Sequence, residues 1–128
     1  MLATTGSAWW VCLIGYTFLI AGLAGMTWAQ AVNKFFEASV RIQTERGHTV
    51  IDTGPYAVVR HPGYAAGYLV FVGMPLALGS LWGLIPVILL CPLLVLRTVW
   101  EDQMLREGLA GYEEYAQRVR YRLVPGVW

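Results

Sequence analysis

Five consecutive residues, Arg60-His61-Pro62-Gly63-Tyr64, bring together a guanidinium, an imidazole, a helix-starting proline and a phenol. Proline suits the first position of a helix, where its missing N–H has no intrahelical role. The N–H groups of Gly63 and Tyr64 are then unpaired donors at the positive end of a helix dipole. Such an end binds anions, carboxylates and phosphates among them. Arg60 adds a fixed positive charge there, and Tyr64 an aromatic face. The loop just upstream, from Gly47 to Tyr56, contributes His48 and Asp52, with Gly47, Gly54 and Pro55 to turn the chain. A plainer reading has Arg60 reaching lipid headgroups and His61 capping the helix. The density of ligand-orienting groups around them favours a binding site.

A second cluster lies forty residues on, at Glu101 and Asp102. Adjacent carboxylates suit a ligand bearing positive charge. Their plainer reading is structural, Asp102 pairing with Arg106 and Glu101 with Arg97. Arg60 and Arg106 are candidates to hold a carboxylate, either an acceptor's or a cofactor's own. An anion-binding helix start, aromatic faces and a paired acid match the parts of S-adenosylmethionine: a carboxylate, an ammonium, an adenine and a sulfonium. The residues permit that cofactor without singling it out. Methyl transfer from an activated sulfonium asks an enzyme mainly to position the acceptor. No Gly-x-Gly-x-x-Gly, P-loop, His-Glu-x-x-His or Ser-His-Asp order occurs, which sets aside a soluble dinucleotide- or nucleotide-binding unit. Cys12 and Cys91 stand alone in apolar segments, forming neither a metal site nor a disulfide framework, and are expected to be buried and inert.

The elements that must position these groups follow from charge placement. Charged residues are 13% of the 128 and hydrophobic ones 57%, against roughly a quarter charged in a soluble domain. All the charged residues and both histidines fall in two blocks, Lys34 to His61 and Arg97 to Arg122, while 1–33 and 62–96 contain no Asp, Glu, Lys, Arg or His. The class is therefore an all-α integral membrane protein, with nothing that points to nucleic acid. Ala8 to Val32 reads as a retained transmembrane helix rather than a signal peptide, since no basic n-region precedes it. Gly15, Gly22 and Gly25 along it suit close helix packing. Residues 62–96 are too long for one span across a ~30 Å core. Gly79-Ser80-Leu81-Trp82-Gly83 supplies the turn of a helical hairpin, about Pro62–Leu78 and Leu84–Trp100.

The hairpin returns the chain to the side it left, so both charged blocks share one face, expected to be cytoplasmic because it holds every Lys and Arg. The resulting organisation is a single domain. It has an N-terminal span (1–33), a connecting loop (34–61), a transmembrane hairpin (62–98) and a cytoplasmic amphipathic helix with its tail (99–128). Leu96, Trp100, Met104, Leu105, Leu109, Tyr112, Tyr115 and Val119 recur at helical intervals from Arg97 onward, with Gly108 and Gly111 as weak points. Oligomeric state leaves no signature.

The run Gly47-His48…Asp52-Thr53-Gly54-Pro55-Tyr56…Val59-Arg60-His61-Pro62-Gly63-Tyr64, then a hydrophobic hairpin, then Arg97…Glu101-Asp102…Leu105…Tyr112…Tyr115…Arg122…Pro125, resembles the isoprenylcysteine carboxyl methyltransferase family. Membrane phospholipid N-methyltransferases are its relatives. The resemblance covers roughly residues 34–128. It implies a multi-pass membrane enzyme with its active site facing the cytoplasm, using S-adenosylmethionine to methylate a lipophilic or prenylated acceptor that arrives between helices. It also implies a cofactor pocket formed by the His-Pro-x-Tyr region and the acidic helix, onto which His61, Pro62, Tyr64, Glu101 and Asp102 map, with His48 beside them. Two departures are mild: Ala66 stands where members usually carry glycine, and Glu-Asp where Glu-Glu is commoner. Many members have further N-terminal spans, and a single apolar run precedes the motif here. The other readings are a lipid amine N-methyltransferase, a related membrane reductase, or a non-catalytic membrane fragment of the family.

Overall fold

The computed structural model describes residues 9–128, and the first residue of the expected N-terminal span, Ala8, lies outside them. Four α-helices form the described chain: α1 (Trp9–Val32), α2 (Pro62–Ala77), α3 (Leu84–Gly108) and α4 (Tyr112–Arg118), with no strand among these residues. Short 3-10 turns at Thr44–Arg46 and Gly54–Ala57 punctuate the loop between α1 and α2. By length and composition, α1 and α3 can each cross a membrane. At 1.5 Å per residue the 25 residues of α3 extend about 37 Å. Their outer faces carry large apolar side chains such as Ile20, Ile88, Leu89 and Trp100. Cys91 is also exposed on α3 and Cys12 is half-buried, so the protein does not itself bury the two thiols as expected.

α1 and α2 are antiparallel and meet backbone to backbone. A Cβ on Gly73 would lie 2.6 Å from the Leu19 nitrogen, and one on Gly22 would lie 2.8 Å from the Ala66 carbonyl oxygen; one on Gly15 would collide with the Ala77 backbone. The close approach requires glycine at these three positions. α2 opens on His61 and Pro62 and ends at the Leu78 cap, leaving Gly79 (φ 68°) to reverse the chain into α3. The α2–α3 hairpin is tight at this turn, where a Cβ on Gly83 would meet Pro75 at 2.5 Å. Farther from the turn, Tyr68 donates to the Cys91 carbonyl (3.2 Å).

α3 does not stop at Trp100. It runs on to Gly108, so the expected amphipathic helix is divided between the last part of α3 and the seven residues of α4. No glycine interrupts α3 before Gly108. The break falls at Gly108–Gly111, with Gly111 left-handed (φ 82°) as the N-cap of α4. The charged ends of the chain pack into a small head beyond the apolar helices. Its core is Leu105, Leu109, Tyr112, Tyr115, Ala116 and Val119, with Ile42 and Val50 of the loop against it.

A bulkier residue in the α1–α2 contact should therefore be costly. Gly15→Val is expected to lower stability by about 1–3 kcal/mol or more through backbone displacement. Gly25→Ala, whose Cβ would lie 3.3 Å from that of Ala66, should cost much less. Thermal unfolding of both variants in the same detergent checks the order.

Candidate functional site

Asp102 is 2% exposed, although it comes from the charged end of α3. Its Oδ1 accepts from Arg60 Nε (2.7 Å), Tyr112 Oη (2.9 Å) and His61 Nε2 (3.1 Å). Its Oδ2 accepts from Arg60 Nη2 (2.8 Å), Arg122 Nε (3.2 Å) and Arg106 Nε (3.3 Å). The Arg60–Asp102 pair is bidentate, the strongest geometry for these groups. Arg60 Nη1 donates to the carbonyls of Val119 and Arg120 (2.9 Å each), just past the end of α4. A buried guanidinium thus caps the negative end of α4 while neutralising the carboxylate. Backbone bonds from Arg60 and His61 to the Tyr121 and Arg122 carbonyls, 2.9 Å each, tie the same segments again. Burial, followed by the negative charge of Asp102, pushes the Tyr112 phenol well above its ordinary range and keeps it a donor.

This hub backs one wall of a cavity of about 320 Å³, the lower end of the usual range for small-molecule sites. Arg60, His61, Pro62, Gly63, Tyr64 and Glu101 line that side, and His48 lines it from the loop. Tyr64 donates its hydroxyl to Glu101 and receives Arg97 Nε at 2.9 Å. The phenol therefore stands between the acid and the base that the plainer sequence reading pairs directly. Arg97 Nη2 also donates to the Ala38 carbonyl, fastening the loop to α3. Phe35, Phe36 and Tyr56 supply aromatic faces. Phe36 seats against Gly63 so closely that a Cβ there would lie 2.5 Å from its ring. Gly63 and Tyr64 donate no backbone bond, whereas Ala65 makes the first one, to the His61 carbonyl.

His61, Pro62, Tyr64, Glu101, His48 and Arg60 thus come together, although the Arg60 guanidinium is spent on Asp102 and α4. Asp102 and Arg106 do not line the cavity. Asp102 lies behind the wall, and Arg106 spans Asp102 and Glu113. The Asp102–Arg106 bond is the plainer pairing the sequence offered, while Arg118 turns to Asp52 (3.2 Å). Two contributors, Gln43 and Asn33, carried no sequence signal of their own, and Tyr115 was legible only as part of a helical repeat. Gln43, buried, donates to the Phe35 carbonyl (2.7 Å). Asn33 donates to the Tyr56 hydroxyl (3.1 Å), and Tyr115 donates to the Tyr56 carbonyl (2.6 Å).

His48 stacks on Phe35 with centroids 4.4 Å apart, and its Nδ1 accepts the Gln43 N–H (3.2 Å). That bond needs the neutral ring. Burial lowers the His48 pKa below the ordinary 6.5.

A second cavity, of about 290 Å³, lies between α2 and α3 toward the closed end of the hairpin. Its lining is apolar apart from Tyr68, whose hydroxyl is occupied. Phe71 and Leu94 line both cavities, so the polar pocket and the apolar groove share a boundary.

Residues 8–110 match the model of a family described as phospholipid methyltransferase. Among curated proteins the chain is similar to protein-S-isoprenylcysteine O-methyltransferase B of Arabidopsis thaliana, 28% identical over 115 residues. The alignment covers 87% of this chain and 58% of that relative, so the chain spans little more than half its length. No solved structure matches the chain.

Removing one partner from the buried pair should cost roughly 3–5 kcal/mol. Asp102→Asn and Arg60→Gln are both expected to lower the thermal midpoint far more than Glu113→Gln, which touches only the exposed side of Arg106. The His48 effect has a definite sign. A lowered folded pKa favours the neutral ring, so stability is unaffected well above 6.5 and falls as pH drops through that value toward the folded one. Unfolding of the wild type between about pH 7.5 and 5.5 should show that loss, and His48→Gln should reduce it. An unchanged pH slope in the variant would remove His48 as its source.

Proposed function

Because the chain belongs to the phospholipid methyltransferase family, we propose that it transfers the methyl group of S-adenosylmethionine to a lipophilic acceptor reaching the pocket from the bilayer. The Arabidopsis relative supports a carboxylate of isoprenylcysteine type as that acceptor. The observation that carries the reading is the junction at Phe71 and Leu94. There a pocket of carboxylate, imidazole and aromatic groups adjoins an apolar groove between helices.

The donor set fits the cofactor. Glu101 offers a carboxylate to its cationic groups, and the unpaired N–H groups of Gly63 and Tyr64 offer a place for its anionic end. Phe35, Phe36 and Tyr56 provide apolar and π surface for the rest. When bound, S-adenosylmethionine supplies a methyl group already activated on a sulfonium. The protein's part is positioning. Tyr64 fixes Glu101 by donating to it. Asp102 accepts His61 Nε2, which fixes the ring against the helix start. Asp102 and Arg60 are therefore positioning residues, and Arg106, which touches Asp102 and Glu113, acts at one further remove.

In this reading α2 is a third membrane crossing beside α1 and α3, its 16 residues giving about 24 Å of helix. The pocket lies on the face with the charged blocks, cytoplasmic by the positive-inside rule. A second reading, methylation of a phospholipid amine, draws support from the description of the matched family.

Glu101→Gln is the sharpest test. Calorimetric titration with S-adenosylhomocysteine should show binding to the wild type and at least about a tenfold loss in the variant, with unfolding little changed. Normal binding by a folded Glu101→Gln protein would overturn this assignment of the pocket.

A further inference from the structure

Residues 120–128 line neither of the two cavities, yet the fold holds them in one conformation. The Arg120 carbonyl accepts Arg60 Nη1, and the Tyr121 and Arg122 carbonyls accept the Arg60 and His61 N–H groups, each at 2.9 Å. Beyond them the chain closes into a turn. Gly126 is left-handed (φ 79°), and the Trp128 N–H returns to the Val124 carbonyl at 3.0 Å. Leu123 is buried, whereas Tyr121, Val124 and Val127 are exposed, Val127 to 77%.

Exposed apolar side chains on an ordered turn take their meaning from where the turn sits. Arg60 and His61 immediately precede Pro62, where α2 and the uncharged stretch begin. The backbone bonds therefore hold the turn at the level where the chain passes from charged to apolar. In a membrane that level is the headgroup layer, which indole rings favour. Trp128 places its ring there, 5.0 Å from the Arg122 guanidinium carbon.

Charge at the turn is positive. Arg120 is exposed and has no carboxylate within ion-pair distance among the described residues. Arg122 reaches Asp102 through Nε alone (3.2 Å), on a carboxylate that Arg60 already binds bidentately and Arg106 also touches. Of the acids in the head, Glu113 pairs with Arg106 and Asp52 with Arg118, while the Glu114 carboxylate lies beside Gly111 at the opposite end of α4. Guanidinium groups suit phosphate oxygens, and basic residues flanking apolar ones suit a leaflet that carries anionic lipid.

We propose that the Arg120–Trp128 turn is a docking surface for anionic phospholipid. Arg120 and Arg122 bind headgroup phosphates, and Val124 and Val127 enter the acyl boundary of the same leaflet. The contact is independent of the methyl-transfer reading. Arg122 also touches Asp102, so the bound headgroup and the buried carboxylate share one side chain.

The test uses the full chain in mixed detergent micelles, in a Cys12→Ala, Cys91→Ala background with a fluorophore attached at Val127→Cys. Brominated phosphatidylglycerol or brominated phosphatidylcholine is titrated in, and the lipid fraction that half-quenches the label is read. Phosphatidylglycerol should reach that point at a fraction at least about fivefold lower, the attraction of roughly one arginine to an anionic surface. Arg120→Gln, which has no side-chain partner to lose, and Arg122→Gln should each shrink the preference. A label at Glu107→Cys, in the last turn of α3, should show none. Equal quenching by the two lipids overturns the proposal, as does a preference unchanged in both arginine variants. Quenching by neither lipid removes the membrane contact itself. Glycerol phosphate added in solution should leave the quenching intact. Recovery of emission on its addition would make the turn a site for soluble phosphate and overturn the assignment to lipid.

Discussion

One buried carboxylate organises the charged end of this protein. Asp102 receives donors from the start of α2, from α3, from α4 and from the tail. A lone ionised carboxylate in that position would be strongly unfavourable, and its partners are what make the burial possible. Every buried side-chain nitrogen or oxygen among the described residues has a hydrogen-bond partner. The network is therefore closed. Each member is fixed by the others, and the His61 ring is held in the cavity wall.

The hub also explains why the pocket can be assembled from distant parts of the chain. Loop, hairpin and head contribute separate walls. Tyr115 joins the head to the loop through the Tyr56 carbonyl, and Arg97 joins the loop to α3. The apolar helices then need only present Tyr64 and Glu101 toward each other at the open end of the hairpin. Opposite charges at Glu101 and Arg97 are bridged by a neutral phenol, which donates to one and accepts from the other.

Much of this was legible in the sequence. The uncharged stretches located the long helices, and the Gly79–Gly83 turn folded one of them back. That fold alone placed Glu101 near Tyr64, as observed. Other features depended on contacts between residues far apart in sequence. Arg60 looked like a ligand-binding cation because its true partners, the carbonyls following α4, arrive about sixty residues later. Asp102 looked like the twin of Glu101, yet a helix turns about 100° per residue, and the step from one to the next carries the carboxylate from the cavity wall into the head. The extent of α3 had a signal that was available: no glycine interrupts it before Gly108. Arg97 had one as well, being the first charge after the apolar stretch of α3, although only the plainer reading gave it a partner, Glu101. Phe36, Asn33 and Gln43 gave no signal, because loop packing leaves no periodicity.

The glycine contacts between α1 and α2 have a mechanical consequence. Backbones that touch at Gly15, Gly22 and Gly73 leave no side-chain layer to slide or repack, so these two helices move as one body. α3 meets α2 through side chains around a groove, with its closest approach at the turn beside Pro75 and Gly83. Any widening that admits a bulky tail must therefore be taken up by α3, swinging from the closed end of the hairpin. That swing would carry Glu101 and Arg97 with it, so that opening the door and rearranging the site become a single motion.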